Sequence, residues 1–324
     1  MRQFSRPKVV VSKCIEFASC RWNGLKISSD VVKSLTPSVD FHPVCPEYEI
    51  GLGIPRDPIR VVSSGDGLRL LQPATGRDVT GEMNAFARAF LDSVGEVDGF
   101  ILKGRSPSCG IKDVNIYPGV GKQAAVARGA GFFGQAVLDA FPALSIEDEG
   151  RLTNFRLREH FLTKLFTLAS FRRVKEERRM ARLVSFHTRN KLMLMAYNQK
   201  ELRSLGRIVA NPEHRPIDEL LARYEDRLHA ALLRPARYTS NINVCMHALG
   251  YFSEELASKE KAYFLDSLER YREGKIPLSV CLSLIMSWIV RFDEPYLLDQ
   301  TFFQPYPGEL VEISDSGKGR NLSS

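Results

Sequence analysis

The sequence has few cysteines and no apolar run near the roughly 20 residues that a membrane-spanning helix needs. Six cysteines in 324 residues disfavour a disulfide scaffold. The start runs from Met1 into Val9–Val11 without the apolar core and cleavage site of a signal peptide. Hydrophobic residues make up 44% and charged residues 26%, which excludes a disordered chain, a coiled coil or a collagen-like repeat. We therefore expect a globular, cytoplasmic protein of about two domains that does not contact a membrane.

Acidic residues are sparse in one stretch of the chain. Residues 151–215 hold 16 Lys/Arg against 5 Asp/Glu, whereas residues 1–150 hold 17 of each. Residues 216–324 hold 12 basic and 16 acidic residues, so the whole net charge of +7 comes from the middle stretch. A local excess of this size predicts a polyanionic partner such as RNA.

Strand and helix patterns alternate in the first half. Short apolar strands are predicted at Val9–Ser12, Val39–Val44 and Val97–Lys103, and Thr80 is a potential cap for a helix between the last two. This alternation predicts an α/β domain over residues 1–148, with an open, mostly parallel, Rossmann-like sheet.

From Glu149 onward the composition changes to Leu, Arg, Glu, Lys and Phe at helical spacing. This pattern predicts an all-α domain of six or seven helices over residues 149–307, followed by a flexible tail at 308–324. We expect His187, Cys245 and Cys281 to be packed structural residues of this domain.

Three cysteines each follow the end of a predicted strand: Cys14, Cys45 and Cys109. Loops at the carboxyl ends of parallel strands meet at one edge of a sheet, so three thiolates there could hold a metal centre. A three-cysteine site leaves one coordination position open, which favours a reactive centre. The alternative, that these cysteines are buried small hydrophobic residues, stays open on spacing alone.

Each of these cysteines lies in one of five sequence blocks, and the five blocks together resemble the thiouracil desulfidase family over about residues 8–148. The blocks are Val11–Cys14, Cys20–Gly24, Pro43–Glu47, Pro55-Arg56 and Lys103–Gly110. The second half is similar to a companion domain through Leu157–His160 and Leu183–Leu192, as far as Pro307. The two-domain form resembles bacterial enzymes that remove sulfur from 4-thiouridine in tRNA.

The resemblance implies a [4Fe-4S] cluster held by Cys14, Cys45 and Cys109. The fourth iron would have no protein ligand and would bind the substrate's sulfur. Glu47 matches the family's catalytic glutamate, and Ser106 matches a serine beside the cluster. The first block departs from the family, because many members read Ala-Cys-Leu-Leu-Gly where this chain has Lys-Cys-Ile-Glu-Phe.

A hydrolytic mechanism follows as a hypothesis, with Glu47 as general base on a water. Ser106 or Ser108 would hydrogen-bond the base or the water. Cys20 is not among the implied ligands, and we give it a secondary role in lining the site or receiving sulfide. The alternatives are a solvated Glu47 paired with Arg56, and serines that only shape a turn.

Basic side chains recur in the predicted helices after residue 150. Arg172, Lys175, Arg179 and Arg182 are spaced to share one helix face, although charged faces are often only solvated. Arginine forks suit phosphates, so we predict an RNA-binding surface for thiolated tRNA, with no obligate protein partner. The predicted contacts are Arg172, Arg173, Lys175, Arg179, Arg182, Arg189 and Lys191.

The sequence therefore predicts an iron–sulfur-dependent desulfidase that converts 4-thiouridine in tRNA to uridine. One alternative keeps the cluster but acts on free thiouracil or thiolated nucleotides. A second is a non-catalytic iron–sulfur sensor that binds RNA, and a third is a zinc-stabilised RNA-binding module.

Overall fold

The computed structural model describes residues 2–65 and 67–311. They form two compact units, of which the second comprises residues 170–308 and the first is formed mainly by the residues before it. Strands and helices build the first unit, and helices build the second, so the predicted α/β and all-α architecture is confirmed. In the described ranges, no helix is both long and apolar enough to cross a membrane.

Two sheets lie in the first unit. One is entirely parallel, in the order β2-β1-β6-β9, as predicted for an open α/β sheet, and the other is a mixed sheet in the order β5-β4-β3-β7-β8, which the sequence did not indicate. The strands that the structure describes are β1 (Lys8–Ser12), β2 (Asp40–Val44), β3 (Arg60–Ser64), β4 (Gly67–Gln72), β5 (Arg77–Asp78), β6 (Gly99–Leu102), β7 (Val114–Tyr117), β8 (Ala127–Gly129) and β9 (Ser145–Asp148).

The strand order of the parallel sheet reverses between β1 and β6, since β2 lies on one side of β1 and β6 on the other. Open α/β sheets bind ligands in the crevice outside the carboxyl ends of the strands at such a switch point. The carboxyl ends of β1, β2 and β6 are therefore the place to examine for a site.

The helices of the first unit are α1 (Asp30–Leu35), α2 (Pro46–Glu49), α3 (Thr80–Ser93) and α4 (Phe132–Ala140). Helix α3 is the predicted one, but Thr80 is its first residue and not its cap. Its hydroxyl instead accepts the Leu70 N–H at 2.8 Å, which ties α3 to β4. Phe86, Phe90 and Phe133 pack their rings together where α3 meets α4, beside the buried side chains of both sheets.

The helical region contains seven helices of at least 12 residues and the four-residue α12 within the described part of the chain. Helix α5 begins in the first unit and ends in the second. The helices are α5 (Phe155–Glu177), α6 (Met180–Tyr197), α7 (Gln199–Ala210), α8 (Ile217–Ala231), α9 (Tyr238–Gly250), α10 (Ser258–Arg272), α11 (Leu278–Phe292) and α12 (Pro295–Leu298).

Aromatic rings fill the core of the second unit. The Phe171 ring stacks on Tyr224 with centroids 5.3 Å apart, and Phe186 contacts both rings. His187 Nδ1 lies 3.1 Å from the Tyr224 hydroxyl, and burial lowers the pKa of this histidine. Cys245 and Cys281 are fully buried. The structure confirms that these three residues are packed within the domain, and a purely structural role for them stays a prediction.

The predicted domain boundary after residue 148 falls at the end of β9. It stays a prediction, because α5 carries residues of both compact units. Of the predicted tail, Gly308–Leu310 forms a short 3-10 turn, and residues 312–324 lie outside the described residues.

Candidate active site

The three predicted ligands lie at the carboxyl edge of the parallel sheet. Cys14 follows β1 by two residues, Cys45 directly follows β2, and Cys109 lies in the loop that leaves β6. All three are buried. Ser108, next to Cys109, donates its hydroxyl to Glu47 at 2.6 Å, so the segments that follow β2 and β6 are in direct contact. The structure thus brings together the residues that the sequence placed at this edge.

Cys20 joins these residues, which we call the thiol cluster: Cys14, Cys20, Cys45 and Cys109. The Cys45 thiol donates to the Cys20 carbonyl oxygen at 3.7 Å, and the neighbouring Cys14 raises the pKa of Cys20. The hydrogen bond to Cys20 and burial raise the pKa of Cys45, while burial raises the pKa of Cys109 to about 12. Cys20 is therefore closer to the predicted ligands than the sequence indicated.

Glu47 lies in α2, two residues after Cys45, and is held by Arg56. The Arg56 Nε and Nη2 groups donate to Glu47 Oε2 at 2.8 and 2.7 Å. Arg56 Nη1 donates to the carbonyl oxygens of Cys20 and Gly53 at 3.0 and 2.9 Å. The Arg56 side chain is 3% exposed and that of Glu47 is 13% exposed, so Glu47 is not a solvated loop acid. The ion pair between Glu47 and Arg56, which was part of that alternative interpretation, is nevertheless present.

Two serines from the Cys109 loop complete the contacts of Glu47. The Ser108 hydroxyl donates to Glu47 Oε1 at 2.6 Å and lies 3.7 Å from Cys109 Sγ. Ser106 Oγ accepts the N–H groups of Ser108 and Cys109 and lies 2.9 Å from Ser108 Oγ. Because the single Ser108 proton points to Glu47, Ser106 donates its own proton to Ser108. The hydrogen bonds therefore run in one direction, from Ser106 through Ser108 to Glu47.

The Cys109 loop rests on the start of α4. The N–H groups of Gly131, Phe132 and Gly134 donate to carbonyl oxygens of Gly110, Pro107 and Ser108 at 2.7, 3.1 and 2.9 Å. A Cβ at Gly134 would lie 2.3 Å from the Gly110 oxygen, and one at Gly131 would lie 2.6 Å from three loop oxygens. Only glycine fits these positions, because the backbones touch directly. In the sequence, only the spacing of the two glycines in Gly131-Phe-Phe-Gly134 could have indicated this contact.

The first residues of the loop are fixed from β1 and β9. The Ser12 hydroxyl, at the end of β1, accepts the Lys103 N–H at 2.9 Å. Glu149, directly after β9, accepts the Gly104 N–H at 2.7 Å and pairs with the Lys103 ammonium. Three of the four parallel strands thus contribute to the position of Cys109.

The donor set suits an iron–sulfur cluster. Across the described residues, no three His, Cys, Asp or Glu side chains are grouped to hold one metal ion. A four-iron cluster differs, since its cysteines ligate separate irons. Buried thiols are the soft ligands that such clusters use, and three loops of the parallel sheet present them. The residues present therefore fit this group.

The predicted RNA-binding residues do not share one face. Arg178 adopts a left-handed backbone with φ 49° between α5 and α6, so Arg172 and Lys175 lie on α5 while Arg182 lies on α6. The expectation of a common helix face is wrong, because the helix does not continue through Arg178 and Arg179.

Five of the seven predicted RNA-binding residues form an ion pair with an acidic side chain. Arg172 is also buried, with 5% exposure. Arg179 and Lys191 are exposed and make no ion pair within residues 2–65 and 67–311. RNA binding at the seven residues stays a prediction. The ion pairs are Arg172 and Arg173 with Glu176, Lys175 with Glu225, Arg182 with Glu177, and Arg189 with Asp299.

Comparison with known proteins gives matches for both halves of the chain. Residues 9–149 match the family described as 2-thiouracil desulfurase, and residues 191–307 match the family described as protein of unknown function (DUF1722). The solved structure of a [4Fe-4S]-dependent thiouracil desulfidase is 27% identical, with a TM-score of 0.35, and the match covers 45% of this chain and 93% of that one.

Two curated relatives are uncharacterized proteins. YbgA of Escherichia coli is 29% identical over 164 residues, which is 50% of this chain and 96% of the relative. YbbK of Bacillus subtilis is 30% identical over 109 residues, which is 32% of this chain and 72% of the relative. Through residues 9–149 the chain belongs to the 2-thiouracil desulfurase family, and over residues 191–307 it carries a DUF1722 domain.

Proposed function

We propose that this chain removes sulfur from thiolated pyrimidines by hydrolysis, and that its substrate is 4-thiouridine in tRNA. The observation that carries the proposal is the Glu47 carboxylate, fixed by Arg56 and Ser108 beside the thiol cluster. The family of residues 9–149 supports the reaction. The basic excess of residues 151–215 supports a nucleic-acid substrate.

The cofactor is a [4Fe-4S] cluster with Cys14, Cys45 and Cys109 as its ligands. When bound, such a cluster supplies an iron with an open position, a Lewis acid suited to the soft thiocarbonyl sulfur. Cys20 accepts a hydrogen bond from the Cys45 thiol at its carbonyl oxygen and lines the site.

Glu47 is the general base. Its Oε2 atom is occupied by two N–H groups of Arg56, while Oε1 accepts one hydrogen bond from Ser108 and keeps a second lone pair for a water. Glu47 takes one proton from that water as the oxygen adds to the ring carbon that bears sulfur. The C–S bond then breaks, the ring keeps the oxygen as a carbonyl, and the two water protons leave with the sulfur as hydrogen sulfide. No electron is gained or lost.

Arg56 and the two serines are positioning residues. Arg56 fixes Oε2 and, through the Cys20 carbonyl, also fixes the loop that carries Cys20. Ser108 orients Oε1 toward the Cys109 side of the site, and Ser106 acts on Glu47 only through Ser108. The buried setting strengthens these hydrogen bonds relative to water.

The test is anaerobic purification with iron and sulfide quantified, followed by incubation with tRNA that contains 4-thiouridine. We expect about four irons per chain, as a four-iron cluster requires, loss of the thiocarbonyl's near-ultraviolet absorbance, and one sulfide released for each uridine formed. Iron-loaded protein that binds tRNA but releases no sulfide from any thiolated pyrimidine would overturn the proposal.

A second candidate substrate is free thiouracil, which the description of the matched family favours. The same assay with free 2-thiouracil and 4-thiouracil separates the two. Turnover of the free bases with none on tRNA would select this second candidate.

A further inference from the structure

A charged cleft lies between α7 and α8, within the second unit. Its volume is about 640 Å3, which is in the range of about 300–1,000 Å3 typical of ligand clefts. Asn211 shapes the turn that joins the two helices, because its side chain accepts the Arg215 N–H at 2.8 Å and donates to the Arg215 carbonyl at 3.1 Å. The cleft is therefore a feature of one helical hairpin.

Basic side chains outnumber acids in the lining of this cleft. The acids in the lining are Glu213 and Asp226, and Ile208 and Leu220 add apolar surface. A concave surface with an excess of one charge concentrates its field and attracts ions of the opposite charge. The basic residues of the lining are Lys200, Arg207, Arg215, Arg223 and Arg227.

The five basic residues differ in whether they already form ion pairs with acidic side chains. Arg215 pairs with two glutamates, while Arg223 lies 3.9 Å from Glu219 and Arg227 lies 3.6 Å from Glu201. Lys200 and Arg207 are exposed and make no ion pair in the part of the chain that the structure describes. These two charges need no acid to be displaced before they meet an anion.

We propose that the α7–α8 cleft binds the phosphate backbone of RNA, with Lys200 and Arg207 as the principal contacts. Lys200, Ser204 and Arg207 recur at spacings of four and three along α7, so they form one stripe with a hydroxyl between two cations. Such a stripe matches a run of phosphates, which accept from ammonium, hydroxyl and guanidinium donors alike. That this RNA is the substrate rests on the proposed function; that the cleft binds RNA does not.

The cleft suits RNA better than the surface predicted from sequence. On α5 and α6, Arg173 and Arg182 each contact a glutamate of the same segment, so a phosphate would compete with a carboxylate already in place. Arg179 and Lys191 make no ion pair among the described residues, but they do not line the cleft, whose concave surface concentrates the field of its charges. The core of a protein–protein interface is depleted of charged residues and enriched in aromatic ones. This cleft is lined mainly by charged side chains and has three apolar ones, Ile208, Pro212 and Leu220, none of them aromatic.

The test measures RNA binding alone, so it does not depend on catalysis. The full-length protein is titrated into a labelled tRNA transcript without thiolated bases, at several salt concentrations, and the dissociation constant is read by anisotropy. The variants are Lys200→Ala/Arg207→Ala, the rival pair Arg179→Ala/Lys191→Ala, and the control pair Arg272→Ala/Lys275→Ala on and after α10. Circular dichroism and Tm check that each variant is folded.

We expect the cleft variant to lose roughly tenfold or more in affinity and to lower the salt slope by about 1.4–1.8, since each phosphate contact contributes about 0.7–0.9. The rival and control pairs should each change the affinity less than about threefold. Equal losses in the cleft and rival variants, or an unchanged cleft variant, would overturn the proposal. A cleft variant that keeps RNA affinity but loses binding of a poly-glutamate peptide would also overturn it and assign the cleft to an acidic protein. Failed sulfide release with intact RNA binding would reject the proposed function and leave this inference standing.

Discussion

Charged side chains have different surroundings in the two compact units. In the first unit, Arg56 is buried and makes hydrogen bonds to Glu47 and to two carbonyl oxygens. In the second, pairs such as Arg182–Glu177 are exposed and join neighbouring residues. A buried charge with several partners has one geometry, whereas an exposed pair can exchange partners at little cost. Position therefore matters most for the Arg56–Glu47 pair, whereas the Arg182–Glu177 pair contributes mainly its charges.

The largest effect is expected for Glu47→Gln, which keeps the shape of the side chain but cannot take a proton. Sulfide release should fall about 10²- to 10⁴-fold, the usual contribution of a general base. Iron content should not change. Glu49→Gln is the matched control, since Glu49 lies on the same helix α2 and is exposed. A Glu47→Gln enzyme with the turnover of its control would remove the catalytic role.

Arg56→Lys tests whether position or charge matters in the first unit. Lysine keeps the positive charge but cannot make the two-pronged contact with Oε2 and the two carbonyl contacts together. We expect turnover to fall about 10- to 100-fold, because a misplaced catalytic group costs rates of this order. Arg69→Lys, at an exposed pair with Asp78, is the control. Equal turnover in the two variants would show that charge alone is sufficient.

Gly134→Ala tests the backbone contact between α4 and the Cys109 loop. The added methyl group would lie 2.3 Å from the Gly110 oxygen, so the loop or the helix must move. We expect a loss of about 1–3 kcal/mol in the free energy of unfolding and a lower iron content after reconstitution. Gly121→Ala is the control, because a Cβ there meets no atom within 4 Å. A Gly134→Ala protein as stable and iron-rich as this control would argue against the contact.

A pH-dependent effect is expected at Glu159 on α5, where burial raises the pKa to about 7. The folded state prefers the protonated carboxyl, so this group favours folding at low pH. Its contribution declines as the pH rises from about 4.5 through 7. Glu159→Gln should be close to the parent near pH 5 and exceed its free energy of unfolding by about 2–3 kcal/mol at pH 8, because the pKa of the carboxyl rises from 4.5 to about 7 and one pKa unit corresponds to about 1.4 kcal/mol. An equal difference in Tm at both pH values would contradict this assignment.

The smallest effect is expected for Arg182→Ala in the second unit. Its pair with Glu177 is exposed, and such pairs contribute less than about 1 kcal/mol. Thermal unfolding should therefore barely change, and the change should shrink further at high salt. A loss comparable to that of Gly134→Ala would show that the exposed pairs also fix the structure.

The sequence allowed prediction of those strands and helices whose own residues have a clear strand or helix pattern. The strands β1 and β6 are β-branched or apolar runs, whereas β2 mixes polar and apolar residues, and the parallel arrangement brings the cysteines that follow all three strands to one edge. The strands β5 and β9 escaped prediction because they have two and four residues and are largely polar, so only pairing with a neighbour defines them. In the second sheet, β3, β4 and β7 do contain Val, Leu or Ile, but runs of four to six residues are too short to be assigned as strands from their pattern alone.

The contacts within the site were less predictable than its members. Arg56 lies in a loop nine residues after Glu47, and no periodicity places a loop residue against a short helix. The break between α5 and α6 also lacks its usual signal, because Arg178, not glycine, adopts the left-handed conformation. For this reason, helical spacing alone wrongly predicted one continuous helix through Arg178, where the chain leaves α5.

The contact of Gly131 and Gly134 with the Cys109 loop has a consequence for transplanting this chemistry. The loop from Ser106 to Gly110 is short enough to graft onto another protein, but its carbonyl groups are satisfied by a helix that begins more than twenty residues later. A graft of the loop alone would carry the reactive side chains without the α4 N–H groups that hold the loop backbone in place. The smallest transferable unit therefore includes α4, and the helix and the loop are expected to have been inherited together.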